Sequence, residues 1–149
     1  PGTLATVLVA GPGNLFQWNV WQFGQEKAQA TVNEALKLQA AGQEQQLMLI
    51  DLGPLGKALY TARYLLSLRG PDARSDPYKN IQNVSNPILI VQGTADRLVE
   101  QGIADRLKRA ARPGVRVDLI YLDGADHAFK GQEAVLAQRI LAWLKDIVP

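Results

Sequence analysis

Residues 87–96 read PILIVQGTAD, and residues 115–129 read VRVDLIYLDGADHAF. Each stretch is an apolar run that ends in glycine and polar residues, which is typical of a buried strand followed by a loop. Asp96 follows the first run and His127 follows the second. Ligands of open parallel sheets bind beyond the carboxyl ends of the strands, so these two side chains are candidates for a functional site.

The segments around these strands predict an α/β fold. Apolar residues keep helical spacing from Ile103 to Ala111, and an amphipathic helix closes the chain from Gln132 to Val148. This alternation of strand and helix predicts a right-handed parallel unit. Residues 3–10 predict a further buried strand, because continuous apolar runs fit a parallel sheet that is covered on both faces.

The first half of the chain is less regular. Apolar spacing predicts helices over 26–41 and 57–69, and residues 47–52 could form a short strand. Residues 15–24 hold four aromatic side chains without a clear period and are predicted as a loop. Those aromatic rings could line an apolar substrate pocket, touch another subunit or pack in the core. Residues 70–86 are rich in turn residues and are predicted as a connecting loop.

Composition narrows the class of protein. The chain has 149 residues, of which 47% are hydrophobic and 20% are charged, and this predicts one packed domain rather than a disordered chain. The absence of cysteine excludes disulfides and thiolate metal sites, and the single histidine leaves no metal site to expect. We expect no cofactor either, because Gly11-Pro12-Gly13 lacks the third glycine of a dinucleotide loop and Pro12 removes an amide donor.

The charge pattern predicts no nucleic-acid partner, and the hydropathy pattern predicts no membrane partner. The net charge is only +2, and the basic residues 106, 108, 109 and 112 stand among acids, as on a solvated helix face. The longest apolar run is too short to cross a bilayer. The sequence does not determine the cellular compartment, because the chain begins with Pro1 rather than Met. A cytoplasmic location is favoured.

Asp96 and His127 together suit acid–base catalysis. The carboxylate would accept a hydrogen bond from one ring nitrogen and fix the tautomer, and the other nitrogen would then take a proton from a nucleophile. Each residue also has a structural alternative. His127 could cap the turn before the last helix, and Asp96 could form a turn or cap a helix that starts near Val99. Their joint position after two strands favours the catalytic interpretation.

The segment 86–149 resembles the C-terminal part of an α/β-hydrolase. In that family Gly-Thr-Ala-Asp follows the penultimate strand, and Gly-Ala-Asp-His-Ala-Phe follows the last. The resemblance implies that Asp96 is the triad acid and that His127 is the triad base. The final helix of this chain is also similar to the final helix of the family.

The resemblance extends more weakly into the first half of the chain. Residues 60–78 resemble the segment that leads into the strand before the triad acid. Residues 3–14 resemble the strand that follows the nucleophile helix. Residues 15–55 fall where those enzymes carry a cap. It implies a partial α/β-hydrolase fold: a three-layer α/β/α arrangement with a mainly parallel sheet. We expect residues 1–149 to form one such domain.

The family's nucleophile is missing from this chain. An α/β-hydrolase carries its serine in Gly-x-Ser-x-Gly, a strained strand-to-helix turn that exposes the hydroxyl. Only Ser67, Ser75 and Ser85 are present, and none has that glycine frame. We therefore expect the nucleophile, its oxyanion donors and the first strands to precede Pro1, so that this chain is inactive by itself.

Two functions remain open at this stage. In the first, the chain is the C-terminal portion of a serine hydrolase that acts on a carboxylic ester or a similar small apolar acyl substrate. In the second, it is a non-catalytic α/β-hydrolase-like domain that binds a partner or a small molecule. In either case the outer edge of the strand at 3–10 predicts pairing with an N-terminal half or a second copy, because an unpaired apolar edge favours association.

Overall fold

The computed structural model describes residues 2–147, so the predicted end of the last helix at Val148 lies outside the described residues. The chain divides into two units. The sheet unit contains the residues up to Gly13 and those from Pro77 onward, and the inserted unit contains residues 14–76. The prediction that the whole chain forms one domain stays a prediction.

Five strands and six helices follow one another along the described residues. In chain order they are β1 (Thr6–Val9), α1 (Leu15–Phe23), α2 (Gln25–Ala40), β2 (Leu47–Asp51), β3 (Lys57–Thr61), α3 (Ala62–Arg69), α4 (Pro77–Asn80), β4 (Ile88–Gly93), α5 (Ile103–Ala110), β5 (Val117–Leu122) and α6 (Glu133–Ile147). Short 3-10 turns lie at Gly53–Leu55 and Ile81–Asn83. The predicted cap-like segment, 15–55, falls within the inserted unit.

The sheet unit has three parallel strands in the order β1-β4-β5. Helix α6 packs against one face of this sheet and α5 packs against the other, which gives three layers. The predicted α/β class and the mainly parallel sheet are therefore confirmed. One face is built around Leu89, Val91, Leu122, Phe129 and Trp143. The other is built around Ile88, Ile90, Val99, Ile103 and Leu107.

Strand β4 lies in the middle of the sheet, and all six of its residues are buried. Successive side chains of a strand point to opposite faces, so a strand covered on both faces is mostly apolar on both. The continuous apolar run of β4 has this cause. Burying the side chain of a residue such as Leu89 stabilises the fold by roughly 2 kcal/mol, and this anchors the strand that carries Asp96 at its end.

The inserted unit packs three helices with one antiparallel hairpin. Strands β2 and β3 pair with each other, with Leu49 opposite Leu59. Their inner face packs with α2 and α3 around a small core made of Ala35, Met48, Ile50, Ala62 and Leu65. The outer face leaves Leu47, Leu49 and Leu59 exposed.

The prediction of a loop at 15–24 is wrong, because this segment forms helix α1. Asn14 caps the helix, and its Oδ1 accepts hydrogen bonds from the backbone N–H groups of Phe16 at 3.0 Å and Gln17 at 3.1 Å. A cap of this kind satisfies donors that would otherwise lack partners. Trp18 is buried, and its ring meets the ring of Phe23 edge-on, with 6.4 Å between the centroids. The aromatic side chains therefore help to pack this helix, although their spacing in the sequence shows no helical period.

The prediction of one helix over 57–69 is also wrong in its first half. Residues 57–61 form β3, and the helix begins only at Ala62, where the Thr61 hydroxyl accepts from the Tyr64 backbone N–H at 3.1 Å. A segment as short as residues 57–61 fits the helical period and the strand period equally well. Its pairing with β2 stabilises the strand. The predicted loop at 70–86 likewise contains α4 and a 3-10 turn.

The strand predicted at 3–10 is confirmed as the shorter β1. On one side it pairs with β4, from Thr6 opposite Ile88 to Val9 opposite Val91. No strand among residues 2–147 pairs with its other side.

None of the helices in residues 2–147 is both long enough and apolar enough to cross a membrane.

Candidate active site

The loops that follow β4 and β5 meet at one edge of the sheet. The two strands are parallel neighbours, and their register ends with Gly93 opposite Leu122. Beyond that point, the Thr94 backbone N–H donates to the Leu122 carbonyl at 3.0 Å, and the Ala95 backbone N–H donates to the Ala125 carbonyl at 3.0 Å. The pairing of the strands thus continues into the loops that carry Asp96 and His127.

The structure brings Asp96 and His127 together. Nδ1 of His127 lies 2.9 Å from Oδ2 of Asp96, which is hydrogen-bond distance. A neutral ring that donates from Nδ1 leaves Nε2 as an acceptor. Among the described residues, Nε2 has no hydrogen-bond partner, and the His127 side chain is 40% exposed. The free ring nitrogen is therefore available to a group that approaches this edge of the sheet.

The carboxylate of Asp96 is held by both of its oxygens. Its side chain is fully buried, and Oδ1 accepts hydrogen bonds from the backbone N–H groups of Leu98 at 2.8 Å and Val99 at 2.9 Å. Asp96 does form a turn, but it does not cap α5, which begins after Gly102. The turn occupies one oxygen and His127 occupies the other, so the predicted turn at Asp96 coexists with its contact to the imidazole.

The other two aspartates near His127 bind elsewhere. Oδ1 of Asp126 accepts from the backbone N–H groups of Ala128 and Lys130, each at 3.0 Å. Asp123 accepts a hydrogen bond from the Thr94 hydroxyl at 3.1 Å. Asp96 alone among these carboxylates contacts the imidazole, and Asp126 shapes the loop on which the imidazole stands.

A bridge made of Thr94, Asp123 and Gly124 joins the two loops. The Thr94 hydroxyl accepts from the Gly124 backbone N–H at 2.8 Å while it donates to Asp123. One hydroxyl thus links the acid loop to the histidine loop through two hydrogen bonds. Sequence reasoning missed this role of Thr94, and a lone threonine after a strand gives no signal for it.

Gly93 allows the two loops to approach each other. A Cβ atom at this position would lie 2.3 Å from the backbone oxygen of Ala125 and 3.0 Å from that of Asp126. Real Cβ atoms essentially never come this close to another atom. The last residue of β4 must therefore lack a side chain for His127 to reach Asp96.

Two glutamine side chains form hydrogen bonds in and around the loop that carries Asp96. Gln92 is buried, its Oε1 accepts from the Ala104 backbone N–H at 3.3 Å, and its Nε2 donates to the Glu100 carbonyl at 3.3 Å. Gln101 donates from Nε2 to the Asp96 carbonyl at 3.3 Å. The signal for Gln92 was a polar residue inside an otherwise apolar strand, which must find partners when it is buried.

The three serines are poorly placed for nucleophilic attack. Ser85 precedes the amino end of β4, so the length of that strand, roughly 20 Å, separates it from Asp96. In the inserted unit, the Ser67 hydroxyl donates to the Tyr64 carbonyl at 2.7 Å, and the Ser75 hydroxyl donates to the Leu68 carbonyl at 2.9 Å. None of the three lies in a strand-to-helix turn.

Metal-ligating side chains do not cluster among the residues that the structure describes. Within residues 2–147, no group of three or more His, Cys, Asp or Glu is placed to hold a metal ion. What this edge of the sheet offers instead is one imidazole paired with one buried carboxylate.

Comparisons with known proteins identify relatives of this chain. The profile of the dienelactone hydrolase family matches residues 69–143, which include both Asp96 and His127. A search of curated proteins by sequence found no match.

Two solved structures have a similar fold. One is the esterase domain of a Rhodothermus marinus protein, with a TM-score of 0.59 at 19% sequence identity, over 100% of this chain and 54% of that chain. The other is a monoacylglycerol lipase of Paleococcus ferrophilus, with a TM-score of 0.60 at 15% identity, over 95% of this chain and 58% of that chain. The chain thus spans little more than half the length of these two structures.

Proposed function

This chain belongs to the dienelactone hydrolase family, and on that premise we propose that it supplies the acid and the base of a serine hydrolase. Asp96 is the acid, His127 is the base, and a serine outside these 149 residues is the nucleophile. The substrate is a carboxylic ester or a similar small apolar acyl compound. The observation that carries this proposal is the 2.9 Å contact between Nδ1 of His127 and the buried carboxylate of Asp96.

The geometry supports these proposed roles. Asp96 holds the ring in the tautomer that donates from Nδ1, so Nε2 takes the proton of the serine hydroxyl as the oxygen attacks the acyl carbon. The imidazolium that forms lies against the carboxylate, which stabilises its charge. His127 then returns the proton to the leaving alcohol, and an attacking water repeats the cycle to release the acid.

Further observations support an ester as the substrate and a second segment as the source of the serine. The two similar structures are called an esterase domain and a monoacylglycerol lipase. The chain spans 54% and 58% of their lengths. Within residues 2–147, the free side of β1 has no strand partner. A strand of an N-terminal half, or of a second copy, would fit that edge because unpaired backbone groups favour pairing.

The first experiment asks where the nucleophile is. This chain alone is treated with a fluorophosphonate probe, which labels activated serines. We expect no labelling at Ser67, Ser75 or Ser85. Labelling at any of these positions contradicts the claim that the nucleophile lies in another segment. The reading frame upstream of Pro1 is examined for Gly-x-Ser-x-Gly, and its absence would favour the non-catalytic alternative.

The second experiment asks whether the pair acts in catalysis. Hydrolysis of p-nitrophenyl butyrate is measured with the protein that joins this chain to its upstream segment. His127→Ala should lower kcat by at least about 100-fold, since positioned proton transfer contributes that much or more. Asp96→Asn should lower kcat as well, by up to about 10,000-fold.

Lys130→Ala is the matched control, because Lys130 is exposed on the same loop. It should leave kcat unchanged. Unfolding by denaturant is followed in parallel for every variant. Folded His127→Ala protein with normal turnover would overturn the proposal, and a binding domain would then be the better description.

A further inference from the structure

Arg69 is a buried cation that has no counter-ion among the residues that the structure describes. It ends α3 in the inserted unit and is only 4% exposed. Its Nε donates to Oδ1 of Asn19 at 3.3 Å, and the guanidinium carbon lies 5.6 Å from the centre of the Tyr60 ring. Its Nη1 is buried and has no hydrogen-bond partner. No carboxylate among residues 2–147 forms an ion pair with it.

This arrangement is unfavourable unless something else neutralises the charge. Burial lowers the pKa of Arg69, yet a guanidinium stays protonated in proteins. Buried charges are normally paired, and buried polar atoms normally have a hydrogen-bond partner. The amide oxygen of Asn19 and the face of Tyr60 compensate the charge only in part. The charge of the guanidinium is therefore not fully compensated by the described residues around it.

Arg69 also lines a cavity of about 270 Å³. The cavity lies within the inserted unit, and its wall combines amide groups with apolar side chains. The main contributors besides Arg69 are Phe16, Gln17, Gln29, Val32 and Leu36. Of the described residues that line it, none is acidic, so its only formal charge is the positive charge of Arg69.

We propose that this cavity binds a small carboxylate with an apolar body, of about the size of benzoate, whose charge is neutralised by Arg69. A guanidinium presents its N–H groups as a planar fork that matches a carboxylate. Phe16, Val32 and Leu36 offer an apolar wall to the rest of the ligand. The volume lies just below the usual range for small-molecule sites, which limits the ligand to about the size of one ring.

This site is separate from the proposed hydrolase chemistry, and its test needs no turnover. Benzoate is titrated into the 149-residue chain and followed by calorimetry, with benzamide as the neutral ligand of the same shape. We expect benzoate to bind with a Kd on the order of 1 mM or tighter. Benzamide should bind at least about 30-fold more weakly, since an unpaired buried charge is left behind.

Variants then assign the binding to Arg69. Arg69→Met should weaken benzoate binding by at least about 30-fold. Arg63→Met is the matched control, because Arg63 stands exposed on the same helix, and it should leave the Kd unchanged. If Arg69→Met fails to fold, Leu36→Trp provides the second route, since a larger side chain from α2 fills the cavity and should abolish binding while Arg69 remains.

Several results would overturn the proposal. They are equal binding of benzoate and benzamide, absence of benzoate binding up to 20-fold above the expected Kd, and benzoate binding that survives both Arg69→Met and Leu36→Trp. Binding of inorganic phosphate in place of benzoate would overturn the assignment to carboxylates. None of these results bears on Asp96 and His127, so the proposed function is tested independently.

Discussion

Replacing Gly93 by alanine should separate Asp96 from His127. The added Cβ would lie 2.3 Å from the Ala125 backbone oxygen, whereas ordinary contacts begin at 3.4 Å. Because the clash is with backbone, the histidine loop must move by about 1 Å. A shift of that size stretches the 2.9 Å contact between His127 and Asp96 beyond hydrogen-bond distance.

The magnitude follows from the same clash. Overpacking of a close contact destabilises a fold by roughly 1–3 kcal/mol, so Gly93→Ala should lower the free energy of unfolding by that amount. In the protein that includes the nucleophile, a misplacement of about 1 Å should lower kcat by about 100-fold. The protein should still fold, because the apolar cores on both faces of β4 are unchanged.

The assay uses the fact that His127 is the only histidine in the chain. In ¹⁵N-labelled protein, its ring gives the only imidazole signals, so the hydrogen-bonded Nδ1 proton can be assigned without ambiguity. We expect a protected, downfield Nδ1 proton in the unmodified chain and its loss in Gly93→Ala. This readout needs neither substrate nor nucleophile.

Gly11→Ala is the matched control. Gly11 follows β1, has no positive φ, and a Cβ there meets nothing within 4 Å. It should change neither the stability nor the Nδ1 proton signal. A Gly93→Ala protein that keeps full stability and an unchanged Nδ1 proton would refute the reasoning about the close approach of the two loops.

Two further predictions concern the same unit. Thr94→Val removes both hydrogen bonds of the bridge to Asp123 and Gly124, so it should lower stability by about 1 kcal/mol and weaken the Nδ1 proton signal, whereas Thr94→Ser should restore both; equal behaviour of the two variants would contradict this role. The hydrogen bond from Trp143, and then Arg116, lowers the pKa of Asp118. A depressed folded-state pKa stabilises the fold above the unfolded value of about 3.9 and stops doing so as the pH falls through the folded value. Urea unfolding should therefore show Asp118→Asn less stable at pH 7 by no more than about 1 kcal/mol, because the carboxylate is partly exposed. The difference should shrink as the pH falls below about 3.9; a difference that stays constant from pH 7 to pH 2 would argue against this linkage.

Much of the sheet unit could be predicted from local pattern. The strand at 88–93 is apolar except for Gln92 because both of its faces are covered, and the helix at 133–147 has one apolar stripe because only one of its faces is buried. The order of strand, helix and strand predicts parallel strands, and the carboxyl ends of parallel strands lie at the same edge of the sheet. That order was enough to predict that Asp96 and His127 lie at the same edge of the sheet.

The inserted unit was predicted less well, and the reason is physical. Residues 57–61 fit a helix and a strand equally, and only pairing with 47–51 selects the strand. Residues 15–23 show no clear period, yet they fold as a helix that begins at the Asn14 cap. Short segments whose own preferences are weak take the conformation that their neighbours stabilise.

Sequence by itself determined the α/β class, the two strands whose following loops carry Asp96 and His127, and the lack of a serine in a nucleophile elbow. These features depend on residue type and on periods of two and 3.6, which are local. Tertiary structure alone decided that Gly93 lets the two loops meet and that Arg69 is buried with no hydrogen-bond partner for Nη1 among residues 2–147. Both depend on atoms brought together from distant positions along the chain, and no local pattern carries that information.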